Sequence, residues 1–349
     1  MERINNIRHT NIAARLRAQE HWDCIAKPVG SFGRLEDMIC RIAAVQNSEN
    51  ICISRRCAVI MCGDHGVTAE GVTQCGSEVT ASCAADIASG CANVNAVAAP
   101  FSTDVFAVDV GIASDVDCPG IISRKVAYGT RNMTRGPAMT CAETEAALKV
   151  GMDIAGQLNN DGYQLLVAGE MGIGNTTSAS AIASVLLGIP AEQITGRGAG
   201  LSSDGLMRKI NAVKTALDVN RPDRNDPMDI LCKVGGLEVA AMTGLFLGAA
   251  YYGLIAVVDG VISAAAAACA YLFQPAAAEY MLPSHCSGEP AGKGLLDLIG
   301  LDPVIDAGLR LGEGTGGVLL IPLLDGAVSL YNNARKFSDT NIERYSRFV

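Results

Sequence analysis

A chain of 349 residues is long enough to bury a large core, as one α/β domain or as two. It is 49% hydrophobic and 18% charged, rich in glycine and poor in aromatics, which suits close-packed helices on a buried parallel sheet and excludes a disordered chain. The formal net charge of −9, with no basic stripe to neutralise phosphates, argues against a nucleic-acid partner. Up to residue 52 the sequence reads as two amphipathic helical segments around a loop at Lys27–Gly33. Arg3, Arg8, Arg15 and Arg17 have no apolar core behind them, so this start does not read as a signal peptide. A first apolar run, Cys57–Met61, reads as a buried strand that opens into Gly63-Asp64-His65-Gly66. The pattern recurs at Val105–Val110 before Gly111, at Leu165–Ala168 before Gly169, and at Leu254–Val258 before Asp259-Gly260. Helical segments fall between them, at Thr80–Ala88, Thr140–Leu158 and Ser178–Leu187.

Alternating strands and helices predict an α/β fold, a doubly wound parallel sheet with right-handed crossovers. Ligands in such sheets bind beyond the carboxyl ends of the strands, so the loops just named are expected to share one face. The apolar stretch Gly244–Phe273 exceeds the roughly 20 residues that span a bilayer. It carries Asp259 mid-run and divides into a helix (Val239–Tyr251), a strand and a second helix through Ala264–Ala268, so it reads as buried core with no membrane partner. Val219–Asp229, with Pro222, Pro227 and several charges, reads as a surface loop. From about Pro283 the chain returns to helices and Gly-rich turns. This end is expected to join the N-terminal helices in a small helical domain (1–52 and 283–349) beside a large α/β domain (53–282). The thirteen cysteines are odd in number and form no Cys-x-x-Cys. With Cys40, Cys57, Cys62 and Cys269 in apolar runs, they read as reduced, buried residues of a cytoplasmic protein, with neither a disulfide framework nor a metal site.

Three Gly-rich segments carry chemistry. Gly169–Thr177 follows a strand and opens a helix, so its backbone N–H groups can cradle an anion; a ligand-free turn is the plain alternative. The spacing imitates a nucleoside-triphosphate loop, but Asn175 stands where that loop needs Lys, which disfavours a kinase or hydrolase and suits a single phosphate. Glu170 inside the loop would repel a phosphate unless it faces ribose hydroxyls; otherwise it is a surface Glu. Gly196-Arg197-Gly198 is a second turn, followed by Lys209, a point cation suited to phosphate. Near the end, Glu313 is a lone acid in Leu311–Gly317, where small neighbours let a substrate approach and partial desolvation would make it a usable base; an exposed loop Glu is the alternative. His65 has no partner His at helical or hairpin spacing, which favours a structural role for it.

These motifs, in this order, resemble the nicotinate-nucleotide–dimethylbenzimidazole phosphoribosyltransferase family. The matching pieces are Lys27–Glu36, Gly63–Val67, Gly169–Thr177, Gly196–Gly198, Gly235–Glu238, Ser284–Glu289 and Leu311–Gly316, which together span nearly the whole chain. The resemblance implies a Rossmann-like large domain, a smaller helical domain from both chain ends, and a dimer. It implies transfer of ribose phosphate from nicotinate mononucleotide to a cobamide lower-ligand base, inverting at C1 and giving an α-riboside 5′-phosphate and nicotinate, with no cofactor and no metal. Carried over residue by residue, Glu313 is the general base. Glu170, Gly172, Gly174, Asn175, Thr176 and Thr177 surround the ribose phosphate, and Gly198 and Lys209 contact phosphate. Ser287 meets the nicotinate end, Arg310 and Leu311 form a wall beside both substrates, and Asp259 is an acid near the site. The acceptor lies against Cys75, Gly76, Ser77, Met171, Leu311 and Glu313. One loop departs from the family: after Gly71-Val72 an aromatic, a Pro and a Gln are usual, and here Thr73–Thr80 has smaller residues. That leaves two acceptors open, a benzimidazole-type or purine base, or phenol or p-cresol as the catalytic half of a heterodimer. A non-catalytic paralogue that stabilises an active partner is the alternative of another class, and the retained Glu313, Lys209 and Glu170 argue against it.

Overall fold

The computed structural model describes residues 2–347. The chain opens with α1 (Glu2–Asn5), α2 (Ile12–Cys24) and α3 (Arg34–Gln46) before the strand β1 (Arg56–Gly63). Then come α4 (Glu78–Ser89), α5 (Asn93–Ala98), β2 (Asp104–Gly111), the two-residue β3 (Ile122–Ser123), α6 (Cys141–Asn160) and β4 (Leu165–Met171). Five helices separate β4 from β5: α7 (Asn175–Leu187), α8 (Ala191–Ile194), α9 (Ser203–Asn220), α10 (Pro227–Val234) and α11 (Leu237–Tyr252). The remainder is β5 (Ile255–Val258), α12 (Val261–Phe273), β6 (Met281–Pro283), α13 (Ala291–Leu298) and α14 (Thr315–Asn333).

The six strands form one parallel sheet in the order β3-β2-β1-β4-β5-β6, reversing direction of growth between β1 and β4. Alternation along each strand divides the core into two. Cys57, Val59 and Met61 of β1, with Leu166, Ala168, Ala256 and Val258, face a layer that includes α6, α7, α11 and α12. Ala58, Ile60 and Cys62, with Leu165, Val167, Ile255 and Val257, face α2, α3, α4, α5 and α14. Burial on both faces is why these strands read as continuous apolar runs. On the second face the Trp22 and Tyr331 rings meet edge-on with centroids 5.1 Å apart, and the Ala26 N–H donates to the Arg335 carbonyl at 2.8 Å.

The four expected strands are present, three of them within one or two residues, while β4 runs three residues beyond the expected Ala168, to Met171. β3 and β6 were not expected, being two and three residues long and too short for any periodicity. The stretch 219–229 is shorter as a loop than expected: α9 runs to Asn220, and α10 starts at Pro227, capped by Asp226, whose carboxylate accepts from the Met228 N–H at 2.9 Å. Gly244–Phe273 divides as expected into helix, strand and helix, and no helix among the described residues is long and apolar enough to cross a membrane. All thirteen cysteines are free, but the expectation of general burial is corrected: Cys40, Cys57, Cys62, Cys232 and Cys269 are buried, whereas Cys52, Cys75, Cys91 and Cys141 are exposed.

Helices α6 and α11 cross at backbone distance. A Cβ on Gly151 would lie 1.9 Å from the Ala241 carbonyl oxygen, and one on Gly244 2.0 Å from that of Leu148. Only glycine fits either position, and α11, packed also on α12 and the sheet, is buried throughout from Leu237 to Ala250.

Candidate active site

One pocket opens at the carboxyl ends of β4, β5 and β6, beside the β1–β4 seam where the strand order reverses. Its lining comes from five segments distant in sequence: the end of β4 and the first turn of α7, the Gly198-Ala199 turn, the start of α12, the segment after β6, and the loop before α14.

Glu170, the penultimate residue of β4, lines this pocket and is only 6% exposed, so it is not the surface Glu that stood as one alternative. The Asn175 side-chain amide donates to its carboxylate, and a Cβ on Gly312 would sit 2.8 Å from its Oε1. Burial pushes Glu170 up to about 8, reinforced by the Asp259 and Glu238 carboxylates and opposed by a hydrogen bond from the Glu313 backbone. A carboxyl protonated at neutral pH does not repel a phosphate. Burial thus removes the charge conflict that an acid in this loop would present to an anion bound there.

Helix α7 begins at Asn175, three residues earlier than expected, with Gly174 in the left-handed region (φ 101°). Thr176 therefore lies in its first turn and lines the pocket. Lys209 reaches up from α9, fully buried, and donates from Nζ to Thr176 Oγ1 at 2.8 Å and to the Gly196 carbonyl at 3.0 Å. Burial pulls its ammonium down to about 8, with the Glu289 charge working the other way. Glu289 in turn accepts the Gly198 N–H at 3.0 Å.

Glu313 is half-buried, with φ 58° between two further positive-φ residues, Gly312 (86°) and Gly314 (76°). A non-glycine residue held there is strained, and such strain concentrates at functional sites. The loop delivers its carboxylate to the start of α5, where Oε1 accepts from Asn93 Nδ2 at 3.2 Å and Oε2 from the Val94 N–H at 3.3 Å. Across the pocket, Asp259 Oδ1 accepts the Gly317 N–H at 2.8 Å and lies 4.0 Å from His285 Nδ1, which meets Ser284 Oγ at 2.9 Å.

The Gly63–Gly66 segment supports the site from behind. Asp64 accepts from Thr80 Oγ1 at 2.6 Å, and Thr80 Oγ1 accepts the Ile173 N–H at 3.0 Å, tying β1 to the Gly-rich loop. His65 Nε2 lies 2.6 Å from Glu238 Oε1, both residues buried. Burial alone would lower the His65 value, but the Glu238 charge and hydrogen bond outweigh it and raise it. His65 thus has the structural role that its isolation in sequence suggested.

Of the residues singled out in the sequence, the pocket gathers Glu170, Met171, Gly172, Asn175, Thr176, Gly198, Asp259, Ser287, Arg310, Leu311 and Glu313. Gly174, Thr177 and Lys209 lie outside its lining: Gly174 packs on His65, Lys209 stands behind Thr176, and Thr177 is fully buried. Cys75 is exposed, and Gly76 and Ser77 are half-buried outside the lining. Their loop is tied to the pocket rim through Gln74 Nε2, which donates to the Gly200 carbonyl at 2.6 Å. Sequence reasoning passed over Glu289 and His285 as site residues, and Asn93 altogether. The first two lie in the Ser284–Glu289 motif, which was the available signal; Asn93 lies 220 residues from its partner in an unremarked segment.

A family model described as phosphoribosyltransferase matches residues 7–342. The nicotinate-nucleotide–dimethylbenzimidazole phosphoribosyltransferase of Ruminiclostridium cellulolyticum is 44% identical over 99% of this chain and 98% of its own length. Its namesake from Acetivibrio thermocellus is 43% identical over 94% of this chain and 93% of its own. The crystal structure of CobT from Thermus thermophilus superposes with a TM-score of 0.90 at 37% identity, covering 95% of this chain and 100% of that one.

Proposed function

Because the chain belongs to the nicotinate-nucleotide–dimethylbenzimidazole phosphoribosyltransferase family, we propose that it transfers ribose phosphate from nicotinate mononucleotide to dimethylbenzimidazole. The observation that carries the mechanism is that one pocket is lined both by Glu313 and by Gly172, Asn175 and Thr176 of the Gly-rich loop. The acceptor ring nitrogen attacks C1 of the ribose from the face opposite nicotinate. The C1–N bond breaks with its electron pair returning to the pyridinium, which leaves as neutral-ring nicotinate. The proton of the acceptor N–H passes to the Glu313 carboxylate. Because the leaving group carries its own electron sink, positioning of two substrates and removal of one proton suffice.

The phosphate lies against the Gly172 and Gly198 backbone, the first turn of α7 and the Thr176 hydroxyl. Since Thr176 Oγ1 already accepts from Lys209, its own proton is free to point at the phosphate, and Lys209 strengthens that donor from behind. Protonated Glu170 reaches the ribose. Ser287 meets nicotinate, Arg310 and Leu311 wall both substrates, and the loop at Cys75–Ser77 borders the acceptor with Met171. Assembly with a second copy or with a paralogue is read from sedimentation of the isolated chain.

The test is nicotinate release from nicotinate mononucleotide, followed by chromatography with dimethylbenzimidazole or phenol as acceptor. A riboside from the benzimidazole is expected. Product from phenol alone would transfer the reading to that acceptor. Glu313→Gln is expected to lose at least about a hundredfold in kcat while still binding nucleotide; wild-type turnover in that variant would remove Glu313 as the base.

A further inference from the structure

The general base reading leaves open what fixes the Glu313 carboxylate, since its loop has three consecutive positive-φ residues and no side chain of its own packed on a core. Both carboxylate oxygens are held, and both by the start of α5. Asn93 Nδ2 donates to Oε1 at 3.2 Å and the Val94 N–H to Oε2 at 3.3 Å. That end of α5 is itself anchored. Asn95 Oδ1 accepts the Ala92 N–H at 3.1 Å, and Asn95 Nδ2 donates to the Ile87 carbonyl of α4 at 3.1 Å. Val94 is fully buried in the core shared with β1 and α14. Asn93, by contrast, is exposed, and its side chain makes no hydrogen bond besides the one to Glu313 among the described residues. Its one side-chain hydrogen bond is thus spent on this carboxylate.

The geometry points to Asn93 as a positioning residue for the Glu313 carboxylate: it fixes the base so that one oxygen meets the acceptor's N–H. This rests on Glu313 being the base. The backbone donor of Val94 remains in any substitution, so Asn93 contributes the part of the positioning that a side chain can remove. The ionisable groups facing Glu313 are Glu170 at the end of β4 and Cys83 on α4, with Arg310 on its own loop and Asp259 and His285 across the pocket. An acid at position 93 would add a carboxylate in direct contact, closer than any of these acids is shown to be.

Asn93→Ala and Asn93→Asp test this, with kcat, KM and the pH profile measured beside those of wild type and Glu313→Gln. Both are expected to lower kcat about tenfold, with KM for nicotinate mononucleotide kept within about twofold. Asn93→Asp is expected to move the acidic limb of kcat/KM up by about one pH unit, and Asn93→Ala less. In a Glu313→Gln background, Asn93→Ala should cost nothing further, because the two act as one unit. Because position 93 is exposed, a wild-type melting temperature is expected for both; the pH shift and the double variant read positioning even if it falls. Wild-type kcat and an unmoved pH profile in both variants, alongside an inactive Glu313→Gln, would overturn the proposal for Asn93 and keep Glu313. An active Glu313→Gln would overturn both.

Discussion

Glu170 and Lys209 arrive near neutrality from opposite directions, the carboxyl raised to about 8 and the ammonium lowered to about 8, each by burial at the same anion loop. Raising the pH past that point adds a negative charge and removes a positive one beside the proposed phosphate position. KM for nicotinate mononucleotide is therefore expected to climb above about pH 8; a flat KM across that range would show that neither group faces the nucleotide. Stability follows a related rule. A carboxyl that binds its proton more tightly when folded contributes fully below its ordinary value of 4.5, and that contribution drains away as pH rises through about 8. Lys209 acts in a separate window, its burial penalty lifting between about 8 and 10.5. Glu170→Gln should accordingly lose less melting temperature than wild type between about pH 5 and pH 8. None of this was readable from the loop's sequence, where a Glu between Gly169 and Met171 is consistent with solvent as well as with burial. Its environment comes from Gly312 and Asn175 closing over it. Glu313 was legible only as one of two readings, a base beside a substrate or an exposed loop Glu, because a lone acid among small residues implies access but not what it faces. The groups that hold it, Asn93 and Val94, become visible only when α5 is placed against α14.

Among elements, the α6–α11 crossing sets the sharpest constraint. Gly244→Ala would force a methyl to 2.0 Å from the Leu148 carbonyl oxygen, and separating the helices would open the core along α11. A loss of about 3 kcal/mol is expected by chemical denaturation, at the upper end of overpacking costs. Gly326, in the middle of α14, supplies the contrast, since a methyl added there would meet nothing within 4 Å. Gly326→Ala should stabilise by up to about 1 kcal/mol through helix propensity alone. Equal effects from the two substitutions would mean that the crossing is not as tight as drawn. The long elements were legible because burial on both faces writes continuous apolar runs into β1, β2, β4 and β5. β3 and β6 escaped because pairing with a neighbouring strand, not composition, makes two or three residues a strand. Helix α10 escaped because its charges look like a loop, although Asp226-Pro227 is a cap followed by a proline at the first helical position, which is a start signal.

At the scale of the molecule, the pocket draws on segments from Glu170 to Glu313, each tethered to a different strand or helix. A nucleotide that bridges them binds the folded chain alone. Nicotinate mononucleotide at a hundred times its dissociation constant should add about 2.7 kcal/mol to stability. A melting temperature indifferent to the nucleotide would argue that the pocket is not its site. The strand order has a separate consequence, for how the chain comes into being. β1 lies at the centre of the sheet, and one of its two neighbours, β4, pairs Leu166 with Cys57 from far along the chain. A ribosome adding about 5–20 residues per second reaches β4 roughly 5–20 s after it has finished β1. Through that interval the segment Cys-Ala-Val-Ile-Met-Cys has an unsatisfied edge, apolar on both faces, in a nascent chain that cannot yet close its sheet. The central position that buries every residue of β1 in the finished protein leaves the same stretch open to aggregation in the unfinished one.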